Sequence, residues 1–266
     1  GSVYYSGSAD RLSVTRKAEA ELSLTGSSEK WLFGFRGDNY SPFPSRQKDL
    51  RTREGFVEFQ QPSSEWRLGT FREIFGTGLV FSSYRLRELD IENTVIGFRG
   101  SYQASTRWNI LALTGRGLEE NDENKLTGGT LKYDFGNGMT VAVEGLFLEV
   151  PAGAHETRYR IGGLFGTYTR GRMDLTVEAA ALRQTGNPER SGRAYYGFLS
   201  YIVVPRKGIS IFGGYKDYRR FSHAYNLGPT LRSQFESANY DDEVGYQLGI
   251  AYSPNEKLNL RVNQNR

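Results

Sequence analysis

The chain has 266 residues, no cysteine, and a net charge of +4 from 34 basic and 30 acidic residues. The mean hydropathy is -0.55, and no run approaches the roughly 20 consecutive apolar residues of a membrane-spanning helix, which excludes a helical membrane protein. The missing cysteines exclude disulfides and thiolate metal sites, and the scattered charges argue against nucleic acid as a partner.

Segments of about ten residues alternate between apolar and polar side chains along the chain, with the period of two that is typical of β-strands. In the clearest segment, Tyr246, Leu248 and Ile250 share one face, and the opposite face is small or polar. The pattern predicts fourteen strands, in chain order 15–24, 30–37, 53–61, 65–72, 94–103, 107–115, 127–135, 139–148, 157–169, 173–183, 193–204, 208–217, 243–253 and 257–265. A short opening strand around residues 3–5 would precede them.

The links between these strands alternate in length. Short links follow every odd-numbered strand, whereas long, polar links lie near residues 38–52, 73–93, 116–126, 149–156, 184–192 and 218–242. Outer-membrane barrels have this arrangement, with short periplasmic turns and longer outer loops. A soluble β-sandwich also alternates along its strands, but it usually has only seven to nine of them.

We therefore expect an all-β chain, a single domain over 1–266, that forms an antiparallel up-and-down transmembrane β-barrel with about 14–16 strands in the bacterial outer membrane. The apolar face would contact lipid, and the polar face would line a wet interior. With short links in the periplasm, the last strand would run outward, so we expect an incomplete barrel. Further strands or a partner protein would close it, because open strand edges are costly in lipid.

Aromatic residues lie near many strand ends, where membrane proteins place interfacial girdles. They include Trp31, Trp66, Trp108, Tyr133, Tyr168, Tyr201 and Tyr252. Ordinary strand propensity of aromatic residues is the alternative explanation.

Two stretches resemble a known family. The first comprises GTFREIFGTGL at 69–79, YRLRELDIEN at 84–93 and IGFRG at 96–100. The second comprises YKDY at 215–218, YNLGPTL at 225–231 and DEVGYQ at 242–247. Together they resemble, over about 66–253, the early part of a large uncharacterised outer-membrane family of Bacteroidetes-type bacteria. Members of that family are longer, which agrees with an incomplete barrel, and the resemblance implies a location rather than an activity.

The segment after the fourth strand is the most distinctive candidate site. Glycines at 76 and 78 interrupt the strand pattern, and a run of charged residues follows at 85–90. The segment either folds into the lumen as a constriction that filters solutes by a transverse field, or it forms an outer loop with paired surface charges.

Alternation along the strands also assigns charged side chains to the polar face, among them Glu58, Glu144, Glu178 and Lys216. The candidates for pore lining or constriction are Arg36, Arg67, Arg72, Arg85, Arg87, Glu88, Asp90, Arg99, Arg158 and Arg160. Such a lining forms either a hydrated path with a mild anion preference or a web of salt bridges in a narrow interior.

No enzymatic pattern is found. His155 and His223 lie in predicted loops without a nucleophile motif, so we interpret them as solvated loop histidines. The acidic cluster Glu119, Glu120, Asp122 and Glu123 lacks the spacing of a calcium loop, and a solvated or lipopolysaccharide-bridging role is as plausible. We expect no cofactor and no metal.

Two functions remain open. The first is a polar-lined pore or export channel for solutes or a polymer. The second is a structural scaffold barrel that houses or pairs with a partner protein in an outer-membrane complex. In both cases the expected surroundings are outer-membrane lipid and lipopolysaccharide.

Overall fold

A computed structural model of the protein describes residues 3–6, 21–38, 51–86, 91–118, 124–152, 155–186, 189–205, 208–226, 242–255 and 258–265. None of these residues forms a helix that is long and apolar enough to cross a membrane. The strands are β1 (Val3–Ser6), β2 (Glu21–Ser27), β3 (Trp31–Asp38), β4 (Arg51–Gln61), β5 (Ser64–Phe71), β6 (Arg85–Leu86), β7 (Ile91–Glu92), β8 (Val95–Gln103), β9 (Trp108–Gly117), β10 (Lys125–Asp134), β11 (Met139–Ala152), β12 (His155–Arg170), β13 (Met173–Thr185), β14 (Arg190–Val204), β15 (Ile209–Arg219), β16 (Asp242–Asn255) and β17 (Leu258–Asn265).

Hydrogen-bonded neighbours follow chain order through fifteen of these strands, with β6 and β7 paired to each other. Neighbouring strands pair antiparallel, for example β3 with β4 and β12 with β13. The strand number agrees with the predicted 14–16. The all-β, up-and-down fold class is thereby confirmed.

The chain divides into two compact units. Unit 1 comprises Gly1–Glu73, Ser83–Tyr102 and Leu111–Leu126, and unit 2 comprises Ile74–Ser82, Gln103–Ile110 and Thr127–Arg266. Strands β1 to β5 pair in sequence in unit 1, and β11 to β17 do so in unit 2.

Several strands are longer than predicted. Two of the predicted long links, 149–156 and 184–192, are mostly strand, because β11 continues to Ala152 and β13 continues to Thr185. The ladder between β11 and β12 pairs residues up to Ala152 and His155. A bilayer needs only about 9–11 residues per strand, so these strands extend beyond the apolar band.

The two faces of the strands are the reverse of those of a soluble protein. Apolar side chains such as Leu68, Leu164 and Leu248 are more than 60% exposed. Side chains of Glu144 and Lys216, on the alternate positions of their strands, are buried. This inversion is expected when lipid, rather than a protein core, covers the apolar face.

Aromatic pairs lie beside the short turns, on the exposed face. The ring centroids are 4.8 Å apart for Trp31 and Phe59, and 4.6 Å apart for Trp108 and Tyr133. Because Trp31 is 50% exposed and Trp108 is 42% exposed, these rings are available to a membrane interface, as an aromatic girdle requires.

Candidate functional site

Residues Ile74–Ser82, here called the inserted segment, leave the sheet after β5 and form a compact turn in unit 2. The Phe75 N–H donates to the Phe81 carbonyl at 2.9 Å, and the Gly78 N–H donates to the Phe75 carbonyl at 2.7 Å. Gly76 and Gly78 have φ values of 52° and 96°, in the left-handed region that favours glycine. The two glycines therefore make the turn possible.

Four apolar side chains of the inserted segment are buried, whereas Ile74 at its start is exposed. Phe75, Leu79, Val80 and Phe81 are at most 1% exposed. Val80 lies over Gly163 of β12, where an added Cβ would come within 2.5 Å of its Cγ2 atom. Because Gly163 is the cross-strand partner of buried Glu144, the segment packs against the buried face of the strands, not against the lipid-facing one.

Glu178 holds the tip of the segment, and Glu144 lies beside it. The Thr77 N–H donates to Glu178 Oε2 at 2.6 Å, and the Thr77 hydroxyl donates to the same oxygen. A Cβ at Gly76 would lie 2.7 Å from Glu178 Oε2 and 2.9 Å from Glu144 Oε1. Both glutamates are 3% exposed, and neither has an ion pair among the residues that the structure describes. We call Thr77, Glu144 and Glu178 the carboxylate clamp.

The loop after β15 covers the other side of the inserted segment. Tyr225 accepts a hydrogen bond from the Ser82 N–H at 2.8 Å through its carbonyl, and its ring centroid lies 5.6 Å from that of Phe81. The Nε2 atom of His223 lies 3.3 Å from the Leu79 carbonyl. Residues from three parts of the chain, distant in sequence, thus enclose the segment.

His223 is buried, so its interpretation as a solvated loop histidine was wrong. Burial lowers its pKa to about 4, although the hydrogen bond to Leu79 acts in the opposite direction. The imidazole is therefore neutral near pH 7, and Nε2 carries the hydrogen that the Leu79 carbonyl accepts. His155 begins β12, and its side chain lies outside the described residues.

A second polar cluster lies in unit 1, where arginines and glutamates alternate. Arg36 contacts Glu54 at 2.7 Å, and Arg72 contacts the same oxygen at 2.5 Å. The Arg72 Nε–H also donates to the Thr94 hydroxyl at 2.8 Å.

Two more arginines extend this cluster. Arg99 bridges Glu73, at 2.5 Å, and Glu65. Arg67 contacts Glu58 at 3.1 Å and lies over the Phe56 ring at 3.7 Å from its centroid. We call the eight charged residues the paired network: Arg36, Glu54, Glu58, Glu65, Arg67, Arg72, Glu73 and Arg99. A polar cavity of about 200 Å³ lies within it, lined in part by Glu54, Arg67 and Arg72.

The predicted pore-lining residues fall into three groups: those in the paired network, those whose side chains are not described, and two arginines of β12. Arg36, Arg67, Arg72 and Arg99 come together in the paired network. Only the backbone of Arg85 is described, in β6, and Arg87, Glu88, Asp90 and the acidic cluster at 119–123 lie outside the described residues.

The inward assignment of Arg158 and Arg160 was wrong. Both share a face of β12 with Leu164, which is 62% exposed and pairs with the exposed Val143. The alternate residues of β12 face inward, because Gly163 is paired with Glu144.

The carboxylate clamp was not predicted as a site, although alternation placed both glutamates on the polar face. The contact joins Thr77 to a residue 101 positions away. Glycines at 76 and 78 were the local signal, since they marked a break in the strand pattern, but they do not identify what the break contacts.

The sequence profile of a family of unknown function, DUF6029, matches residues 17–150. The chain belongs to this family. No curated protein matches the sequence. Membership confirms that the chain is part of an uncharacterised family, as the resemblance implied, and the family description assigns no activity.

Solved structures with a similar fold are outer-membrane proteins. OmpT of Vibrio cholerae is 11% identical with a TM-score of 0.55, over 93% of this chain and 78% of its own. An anion-selective porin from Comamonas acidovorans is 12% identical with a TM-score of 0.55, over 94% and 79%. The outer-membrane channel DcaP of Acinetobacter baumannii is 10% identical with a TM-score of 0.53, over 93% and 78%. Identities this low show the fold alone, which is that of outer-membrane β-barrels, and the predicted location in the bacterial outer membrane follows from it.

Proposed function

We propose that the protein forms a polar-lined pore in the outer membrane and that the inserted segment narrows it. The observation that carries the proposal is the burial of residues 75 and 79–81 against the buried face of β12 and β13, with Thr77 held by Glu178. A segment fixed there occupies space that a solute would otherwise cross. The general role agrees with the porin and channel among the similar structures.

The paired network supports a hydrated path rather than a strongly selective one. Four arginines and four glutamates carry equal and opposite charge, so this cluster sets up local fields without a large net potential. We expect it to orient polar solutes and to discriminate weakly between anions and cations. The mild anion preference and the roles of Arg85, Arg87, Glu88 and Asp90 in the constriction remain predictions.

Planar-bilayer recording of the purified full chain tests the proposal. Replacing residues 75–81 by a flexible Gly-Ser linker should raise the single-channel conductance severalfold. Ile74→Ser is a matched control, because Ile74 belongs to the segment but is 53% exposed, and it should leave the conductance unchanged. If neither the wild type nor the linker variant conducts, the protein is not a pore.

A structural scaffold is the second candidate, and the completeness of the internal packing favours it. Leu79, Val80 and Phe81 of the inserted segment are fully buried. In the paired network, arginines and glutamates balance each other's charge. A sealed barrel that holds or pairs with a partner, or that further strands complete, would have such an interior. It predicts no conductance before or after replacement of the segment.

We further propose that the protein is not an enzyme. The ring of His223 is committed to the Leu79 carbonyl and to aromatic neighbours, Tyr159 and Phe221. Among the described residues no group of three metal-binding side chains converges.

We also propose that the membrane around the protein contains lipopolysaccharide. The Bacteroidetes-type origin that the resemblance suggests also remains a proposal.

A further inference from the structure

Arginines are concentrated on the exposed face of unit 2, away from the short turns. Arg160 of β12 pairs across the ladder with Arg183 of β13, and Arg193 of β14 pairs with Arg219 of β15. All four side chains are exposed. We call these four residues the arginine patch.

The strands place this patch at one border of the apolar band. Arg160 and Arg193 each precede a tyrosine of the same face by eight residues, Tyr168 and Tyr201, near the short turns. Eight residues rise about 26 Å along a strand, which is about 20 Å across the membrane at the usual tilt. Since the apolar band of such barrels is about 25 Å tall, tyrosines mark one border and arginines the other. The long-link end faces outward in these barrels, so the patch lies at the outer leaflet.

In the part of the chain that the structure describes, only two of the four arginines of the patch contact a carboxylate. Like charges directly opposite each other destabilise a sheet, and the patch contains two such pairs. Glu189 contacts Arg183 at 3.2 Å, and Asp217 contacts Arg219 at 2.9 Å. Arg160 and Arg193 have no carboxylate within ion-pair distance in the described part of the chain.

Small residues leave room for an anion between these side chains. Ala181 of β13 pairs with Gly162 of β12 on one side and with Arg193 of β14 on the other. This row of paired residues lies two residues along the strands from the pair of Arg160 and Arg183. Neighbouring strands are about 4.8 Å apart, so the positions of Arg160, Arg183 and Arg193 place three long guanidinium side chains within reach of one anion. Guanidinium groups bind phosphate oxygens in bidentate geometry.

We infer that the arginine patch binds the phosphate groups of the anionic glycolipid of the outer leaflet, lipopolysaccharide. The inference depends on the position of the chain in the membrane and not on the proposed pore. A glycolipid phosphate bound by Arg160 and Arg193 would relieve the repulsion between the arginines and fix the depth of unit 2 in the outer leaflet.

Lipid retention by the full chain in nanodiscs tests the inference. Diphosphorylated lipid A, the phosphate-bearing anchor of lipopolysaccharide, should bind at least about tenfold more tightly to the wild type than to the double variant Arg160→Gln, Arg193→Gln, because each arginine at a membrane surface contributes to anion attraction. Arg158→Gln is the matched control, since Arg158 lies on the same face but already contacts Glu149 and Glu156. It should retain lipid A within about twofold of the wild type.

Two further measurements separate the sources of phosphate. Dephosphorylated lipid A should bind the wild type as weakly as lipid A binds the double variant. Inorganic phosphate at millimolar concentration should not displace bound lipid A, and displacement would show that the patch recognises a free anion instead. Equal retention of lipid A by the wild type and a correctly folded double variant, checked by heat-modifiability on gels, would overturn the inference.

Discussion

Glutamates on the buried faces of the strands meet two different environments. In the paired network of unit 1, each carboxylate contacts a guanidinium, as Glu54 contacts Arg36 and Arg72. In unit 2, Glu178 instead accepts hydrogen bonds from the inserted segment, and Glu144 lies beside it without an ion pair among the described residues. The first arrangement stabilises the wall of the barrel locally, whereas the second makes the position of the segment depend on distant strands.

Acidification should cause the largest of the predicted losses of stability, because it affects the packing of His223 against the inserted segment. The pKa of His223 is about 4 in the folded protein and about 6.5 when exposed, so the unfolded state binds a proton first as the pH falls. The stabilisation is present above pH 6.5 and is lost progressively down to pH 4, by up to about 3 kcal/mol. His223→Gln keeps a donor for the Leu79 carbonyl and should flatten this dependence.

Unfolding by guanidinium in detergent at pH 7, 5.5 and 4.5, with protease cleavage within 74–82 as a local probe, measures the difference. Identical pH profiles for the wild type and His223→Gln would mean that His223 is not protected from protons in the folded state.

Removal of a shared guanidinium should have the next largest effect. Arg99 contacts Glu65 and Glu73 and is 16% exposed, so Arg99→Ala leaves two carboxylates without their cation and should cost about 2 kcal/mol. Arg158→Ala is the control, because its side chain is 54% exposed, and it should cost less than about 1 kcal/mol. Equal losses for the two variants in the free energy of unfolding would contradict the distinction between buried and surface pairs.

A methyl group at Gly76 should disturb the carboxylate clamp. The residue has a positive φ, and an added Cβ would lie within 3 Å of oxygens of both glutamates. Gly171→Ala is a matched control, with a φ of 62° and no atom within 4 Å of its added Cβ. Both variants lose roughly 1 kcal/mol through backbone strain, and Gly76→Ala should lose about 1 kcal/mol more through crowding.

Comparison of the two unfolding midpoints isolates this crowding. If Gly171→Ala is destabilised as much as Gly76→Ala, then the two glutamates do not crowd a side chain at position 76.

Replacing Glu144 or Glu178 by glutamine, one at a time, should have the smallest effect on the free energy of unfolding. The comparison distinguishes the roles of the two residues. Glu144→Gln replaces a buried acid that has no ion pair among the described residues by a neutral group of the same shape, and it should change the free energy of unfolding by less than about 1 kcal/mol. Glu178→Gln weakens the acceptor for Thr77 and should destabilise the protein by a larger amount. A larger loss of stability for Glu178→Gln than for Glu144→Gln in unfolding experiments supports the clamp, and equal losses would show that the two glutamates are equivalent.

Much of the fold could be predicted from local pattern. The period of two identified strands such as β11 and β16 and showed which face of each is apolar, because side-chain direction along a strand depends only on position. The pattern also placed three arginines of the network, Arg36, Arg67 and Arg99, on the polar face. It placed Arg158 and Arg160 on the wrong face, because β12 carries both charged and apolar residues at the same alternate positions, and alternation alone does not say which of its two faces lies inside.

By itself, the sequence determined an outer-membrane β-barrel fold, since alternation, turn lengths and aromatic strand ends are local properties. Only the tertiary structure decided that Arg160 and Arg193 face outward, that His223 is buried, and that Thr77 meets Glu178. These depend on strand register and on the path of the inserted segment, which join residues far apart in the chain. No local pattern encodes such contacts, because their energy arises from groups that come together when the sheet forms.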